Sequence, residues 1–344
     1  MLFRSAVYNG ANIYTAGTGS KFEADEMSLA ISGGTFTGAV GNGSTPRGGA
    51  SSTQGASTLA IAGGLFQGAV YGGAASFGDS GTNVTVASTS VSISGGTFSG
   101  KVFGGNVGQT GAKAANTVVS YNIDLTVDSS AKDIYFNGNL TGGSMGAGQI
   151  GGNVTVTFKG DGGKLHFGSS SFVSGDSEYA YSITSYVVGA KTLVFDGFTG
   201  AFTGNLQGPA FDAVAVRNGT AVNVGGASVN QDFSFASTWN FELKDANAVM
   251  VTDGSGSANV RNSFWSDTLN LTFAADAETV VAGTVWTVYA GQESTVRDWN
   301  ELAAVTIAGQ NATGAMEGDY KAWTAGEYKV YLDGNYDIRL AKLA

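Results

Sequence analysis

One histidine, His166, and a thin scatter of carboxylates are the side chains here best suited to move a proton or hold a hard metal ion. Before residue 121 the acids are Glu23, Asp25, Glu26 and Asp79. Later acids such as Asp124, Asp128, Asp133 and Asp196 fall at turn positions, where Asp commonly bonds its own backbone. Carboxylates of this kind support polysaccharide cleavage when two or three converge, often with Arg, Lys or calcium. The spacing shows no such convergence. Cysteine is absent, which excludes thiolate chemistry and a disulfide framework without fixing the compartment. The calcium-binding Gly-Gly-x-Gly-x-Asp repeat is missing too, with Gly160-Asp161-Gly162-Gly163 a lone fragment. No catalytic, cofactor-binding or metal-binding residue is therefore assigned, and no cofactor is expected.

Recognition by stacking is the other chemistry on offer. Tyr8, Gly41, Tyr71, Phe103, Tyr135 and His166 each follow an apolar residue in what reads as one repeated position. If the apolar residue points inward, its neighbour points outward. Tyr8, Tyr71, Phe103, Tyr135 and His166 then form a candidate exposed aromatic stripe, able to stack on sugar rings or a partner surface. The competing reading is a second packed face beneath the loops. His166 reads as a member of the ladder, with a base or ligand role as the alternative.

The elements that must position this stripe are clearest at Val91-Ser92-Ile93-Ser94-Gly95-Gly96-Thr97-Phe98-Ser99-Gly100-Lys101-Val102-Phe103-Gly104-Gly105-Asn106. Two short alternating strands joined by a Gly-Gly corner are expected. Copies run through Ile31–Val40 and Ile61–Gly73, with their isoleucines and phenylalanines 30 and 32 residues apart. Val7, Val40, Val70, Val102, Ile134 and Leu165 open the second half of six copies, at spacings of 33, 30, 32, 32 and 31. A period of this size marks a solenoid with one structural rung per repeat.

Composition agrees. The 344 residues include 54 glycines and 2 prolines, which disfavours helical repeats at roughly 1 kcal/mol per helical glycine. Collagen would need glycine at every third position, and the 42% apolar content is enough to bury a core. An all-β parallel β-helix (β-solenoid) of about 31 residues per rung is expected. Pro46 belongs in the loop between residues 44 and 55, because it cannot donate to a ladder. The solenoid is expected over 1–230, with Thr192–Asn205 a late copy and Val222–Gly226 the last rung. A β-rich cap is expected over 231–344, where all five tryptophans lie, closing in a hairpin around Asp333-Gly334-Asn335. The chain opens in mid-rung at Val7, which reads as a boundary with export information upstream.

Net charge is −10, with 5 basic and 4 acidic residues in 1–120 against 12 and 23 in 121–344. No basic patch is available to neutralise phosphates, so nucleic acid is not an expected partner. The apolar runs are too short for membrane-spanning helices, and membrane insertion by this chain is not expected.

The Val-x-Ile-Ser-Gly-Gly-Thr-Phe-x-Gly-x-Val-Phe-Gly-Gly-Asn pattern at 91–106, with its copies at 31–43 and 61–73, resembles the passenger domains of bacterial autotransporters and related adhesin-like surface proteins. The resemblance covers about residues 1–226. It implies a right-handed β-helix, secreted or displayed on the cell surface. It also implies adhesion to glycans or proteins of host or bacterial surfaces, or self-association. The membrane barrel of that family has no counterpart here, since no series of ten-residue alternating strands closes the sequence. Pectin-cleaving lyases and hydrolases share the fold, so a polysaccharide-acting enzyme is the alternative to a non-enzymatic adhesive module.

Overall fold

Strands that alternate apolar residues with Ser or Thr bury one face, and repeating the alternation lets each strand stack on a copy of itself. The computed structural model is all-β, with long and predominantly parallel sheets. It describes residues 2–3, 7–9, 12–13, 21–43, 45–46, 51–73, 83–105, 118–119, 121–143, 149–176, 187–206, 211–227, 237–253, 268–277, 280–291 and 299–344. Two compact units divide it. One comprises Met1–Thr157, Lys164–Thr192 and Gln207–Ala210; the other comprises Phe158–Gly163, Leu193–Leu206 and Phe211–Ala344.

In the first unit Lys21–Ile31 pairs in parallel with Ser51–Phe66, and Ser51–Phe66 with Asn83–Phe98. Asn83–Phe98 pairs in turn with Asn122–Asp128 and Ile134–Phe136, and the latter with Leu165–Phe167. A second parallel sheet stacks Val7–Asn9, Val40–Asn42, Val70–Tyr71, Val102–Phe103, Leu140–Thr141 and Phe172–Ser174. Like residues consequently meet like residues. Leu59, Val91 and Leu125 share one column and Ile61, Ile93 and Val127 another, none more than 1% exposed. Each such side chain contributes roughly 1.5–3 kcal/mol by burial.

The aromatic column is longer than the repeat count suggested. Phe36, Phe66, Phe98, Phe136 and Phe167 stack with centroids 4.9, 4.9, 5.1 and 5.6 Å apart. That spacing is close to the distance of about 4.8 Å between neighbouring strands, so the backbone ladder sets the ring ladder.

Three expectations change in this unit. The Gly-Gly corner does not end the strand in the second and third copies. Ser51–Phe66 and Asn83–Phe98 run through it, with register irregularities on either side of Gly95. The second glycine absorbs the bend: Gly34, Gly64 and Gly96 have φ of 114°, 127° and 125°, a region L side chains rarely adopt. Pro46 lies in a two-residue strand, Thr45–Pro46, paired with Asn12–Ile13. So short a pairing tolerates a residue without an N–H.

The third change is one of register. Ile134-Tyr135-Phe136 pairs with Gly96-Thr97-Phe98, not with the Val102 copy, and Val102-Phe103 pairs with Leu140-Thr141. Between Asp128 and Ile134 the glycine corner is replaced by a longer turn, in which Asp128 Oδ1 accepts from the Ser130 backbone N–H at 3.0 Å. The insertion displaces the strands downstream of it, so Val102 and Ile134 coincide in spacing without being equivalent.

The second unit repeats the principle with different residues. Ala213–Arg217, Thr238–Leu243, Thr268–Phe273 and Ala304–Ile307 stack in parallel, as do Ala221–Asn223, Val249–Thr252 and Val285–Ala290. Parallel stacking thus runs past residue 230, where the cap was expected to start. The antiparallel closure begins later. Thr313–Glu317, Tyr320–Ala325, Tyr328–Leu332 and Ile338–Lys342 form a meander whose last strand pairs with Val285–Ala290. Its final turn is the expected hairpin. The Asp333 carboxylate accepts from the Asn335 and Asp337 backbone N–H groups at 2.8 and 3.1 Å and from Arg339 Nε at 2.8 Å. Trp239 and Trp299 are fully buried, Trp286 and Trp323 nearly so, and Trp265 lies outside the described residues.

Phe98 is fully buried while its neighbour Thr97 is half-exposed. Phe98→Asp is expected to lower stability by several kcal/mol, since it buries an unpaired charge inside the ring ladder, and Thr97→Asp by less than about 1 kcal/mol. Thermal unfolding followed by circular dichroism checks it; equal shifts in Tm would refute the inward assignment of Phe98.

Candidate functional site

The register decides the fate of the aromatic stripe, because its members belong to different sheets. Tyr71 and Phe103 pair with one another in the second sheet and continue to Thr141. They are 5% and 0% exposed, with rings 5.4 Å apart. These two form the packed face, not a binding surface. Their strands are only two residues long and both residues of each are buried, so the rule of one face in and one face out does not apply. Tyr8 pairs through its backbone with Gly41 at the head of the same column, and its side chain lies outside the described residues.

Tyr135 and His166 stand in the other sheet, at the outward position of Thr35, Leu65 and Thr97. Their flanking residues Ile134, Phe136 and Leu165 point inward. Tyr135 is 41% exposed, as is the His166 side chain, and their rings stack at 4.4 Å and 14°. The facing sides of the rings cover each other, so solvent meets only the remaining ring surface. His166 Nε2 lies 3.1 Å from Asp133 Oδ1. Both groups are open to water, where such a pair contributes at most about 1 kcal/mol. Lys132 and Lys164 flank the stack in sequence and spend their ammonium groups on the Ala62 and Ser130 carbonyls, each at 2.8 Å.

The second unit assembles a polar centre that single-sequence spacing hid. Asp196 is 9% exposed; Arg217 Nη2 and Lys159 Nζ approach its Oδ2 at 3.1 and 3.2 Å, and Asn218 Nδ2 donates to its Oδ1. Burial works to raise the Asp196 carboxyl. The hydrogen bonds from Asn218 and Lys159 and the charge of Arg217 outweigh it and hold the group below the usual carboxylate range. A general acid needs the opposite shift, so Asp196 is built as an ionised latch. The Asn218-Gly219 turn, at φ 55° and 70°, brings Asn218 round to it; that Asn-Gly pair was the readable signal.

Beside this turn lies a cleft of about 210 Å³ lined by Gly219, Thr220, Glu242, Lys244, Asp245, Ala248 and Met250. Ligand sites commonly span about 300–1,000 Å³. Lys244 is committed to Asp276 at 2.6 Å, and Glu242 Oε1 accepts from the Asn218 backbone N–H at 3.3 Å. Among the described residues no group of three or more His, Asp or Glu side chains is placed to hold a metal ion. No protein-family model, curated protein or solved structure matches this chain.

One buried acid stands apart. Asp253 is 5% exposed, and burial raises its carboxyl above the usual range. Its backbone N–H donates to the Ala290 carbonyl at 2.9 Å, and among the described residues no hydrogen bond reaches its carboxyl. A raised folded value means that its contribution to stability is fully present below the unfolded carboxylate range of about 4 and is lost as pH rises through the folded value. Asp253→Asn is therefore expected to stabilise the protein near neutral pH, by on the order of 1 kcal/mol, and to flatten this part of the pH dependence. Urea unfolding at pH 3.5 and pH 7 checks the sign; an Asn variant less stable at both would refute it.

Proposed function

We propose that this chain is a right-handed parallel β-helix of about 31 residues per rung that serves as a non-enzymatic structural and adhesive module, secreted or displayed on a cell surface. The observation that carries the reading is the build of the first unit. Self-stacking apolar columns line its interior, and Ser28, Thr58, Ser90 and Asp124 stand in register and exposed on the outer face. A framework of this kind spends its sequence on rigidity and leaves an outer face dominated by small polar residues, without a converging cleft among the described residues.

Tyr135 and His166 are the part of that surface with recognition chemistry. The ring surface left open suits an apolar sugar face or an aromatic-rich protein patch, and the partners proposed are surface glycans or proteins. The enzyme alternative lacks comparable support, because the best-organised carboxylate, Asp196, is neutralised by its neighbours.

Glycan-array binding of the wild-type chain, Tyr135→Ala and His166→Ala tests the reading beside a lyase and hydrolase screen. Loss of one ring contact worth about 0.5–1.5 kcal/mol should weaken binding by roughly two- to tenfold, with thermal unfolding unchanged within a few degrees. Turnover of any polysaccharide, or binding unaffected by both substitutions, would overturn it.

A further inference from the structure

Inside the first unit one buried column faces another across the rung. Met27, Ser57, Thr89 and Ile123 stack in parallel register, and all four are buried. The Ile123 N–H donates to the Asn153 carbonyl and the Val154 N–H to the Ala190 carbonyl, each at 2.9 Å. These bonds carry the column on through Val154 to Lys191. Across from it glycines leave room. A Cβ on Gly73 would meet Thr89 Oγ1 at 2.7 Å, and one on Gly105 would meet Ile123 Cδ1 at 2.4 Å.

The last rung of the column breaks this pattern at both positions at once. Gly73 and Gly105 stand two residues after Tyr71 and Phe103, whose register continues through Thr141 to Ser174. Two residues after Ser174 the chain has Asp176 in place of a glycine. Asp176 is 0% exposed and Lys191 4%, with Nζ 3.8 Å from Oδ2. Asp176 Oδ1 accepts from the Val187 backbone N–H at 3.1 Å, and the Asp176 N–H donates to Ser174 Oγ at 3.0 Å. A buried ion pair is a poor way to stabilise a core, because desolvation offsets the attraction. An uncharged residue over a glycine does the same packing in the earlier rungs.

We propose that Lys191 and Asp176 become covalently joined, Nζ to Cγ, as an intramolecular amide that forms once the chain has folded. The ammonium first passes a proton to Oδ2, which leaves a free amine beside a carboxylic acid. Nζ then attacks Cγ, and the four-carbon lysine stem lets it close to the roughly 3–3.5 Å of a near-attack contact. The Val187 N–H at Oδ1 stabilises the negative charge that develops on that oxygen. A second proton moves from Nζ to Oδ2, the Cγ–Oδ2 bond breaks, and Oδ2 departs as water. Nζ keeps one hydrogen, nothing is oxidised or reduced, and no other reactant is needed. Two buried charges give way to a neutral amide, which removes their desolvation cost. The bond staples opposite sides of one rung just before the strand Lys191–Ala201 runs on, and it is independent of what the outer face binds.

Intact-mass spectrometry of the purified full chain tests this. The mass should fall one water below that of the sequence. Trypsin does not cut after an acylated lysine, and Lys191 is the sole Lys or Arg between Leu165 and Arg217. The digest should therefore contain a single peptide Leu165–Arg217, also short of one water. Cleavage at Glu178, its one glutamate, should leave the two halves joined. A ring closed within an Asp-Gly pair such as Asp196-Gly197 loses water as well, but its halves would separate. Lys191→Arg keeps the charge without the amine, so it should have the full sequence mass and a Tm several degrees lower. Should that variant fail to fold, the wild-type mass and digest decide alone. Full mass in the wild-type chain, halves that separate, or a missing water retained in Lys191→Arg would overturn the proposal.

Discussion

Parallel in-register pairing makes every residue its own neighbour, about 4.8 Å away in the next strand. This one constraint decides which side chains each position tolerates. A ring set on a ring gives the Phe36-to-Phe167 ladder; an aliphatic residue on an aliphatic one gives the Leu59 and Ile61 columns. A charge placed in such a column would face its own copy. The copies accordingly carry Ser, Thr and Ala at most of their outer positions, as in the columns Ser28, Thr58 and Ser90 and Ala30, Ala60 and Ser92.

The same constraint explains where polar groups can be buried. Asn42 is fully buried because its Nδ2 reaches the Thr58 carbonyl at 2.7 Å and Ser57 Oγ at 2.9 Å, so a neighbouring strand satisfies it. In the second unit Asn270 Nδ2 donates to Asn240 Oδ1 at 2.9 Å and Thr306 Oγ1 donates to Asn270 Oδ1 at 2.6 Å. Polar ladders of this kind hold only if register is kept, and they help to keep it. Asp196 obeys another logic, since Lys159 from one strand, and Arg217 and Asn218 from the end of another and the turn that follows it, close on it and neutralise it.

Much of the first unit was legible without coordinates. The identical spacing of three isoleucines and three phenylalanines has no cheaper physical explanation than stacked copies, and the parallel registers of Leu29 with Leu59 and Leu59 with Val91 agree with it. The closing hairpin was legible as well, because Asp333-Gly334-Asn335 carries its own turn chemistry. In the second unit parallel stacking persists with little sequence repetition: Val214 lies beneath Trp239, and Trp239 beneath Leu269. Those residues share only bulk and apolarity, which is all that a column requires.

What the sequence determined by itself was therefore local and periodic: strands, glycine bends at Gly64 and Gly96, the inward direction of Phe98, and the stacking of like on like. What only the tertiary structure decided was register after an insertion. The turn after Asp128 moved Ile134–Phe136 one element away from the copy its spacing suggested. That shift set Tyr135 and His166 outward on one sheet while Tyr71 and Phe103 were buried on another. Alternation fixes a side chain's direction within a strand. Which strand lies beside it, and what covers its far face, depend on contacts that no window of sequence contains.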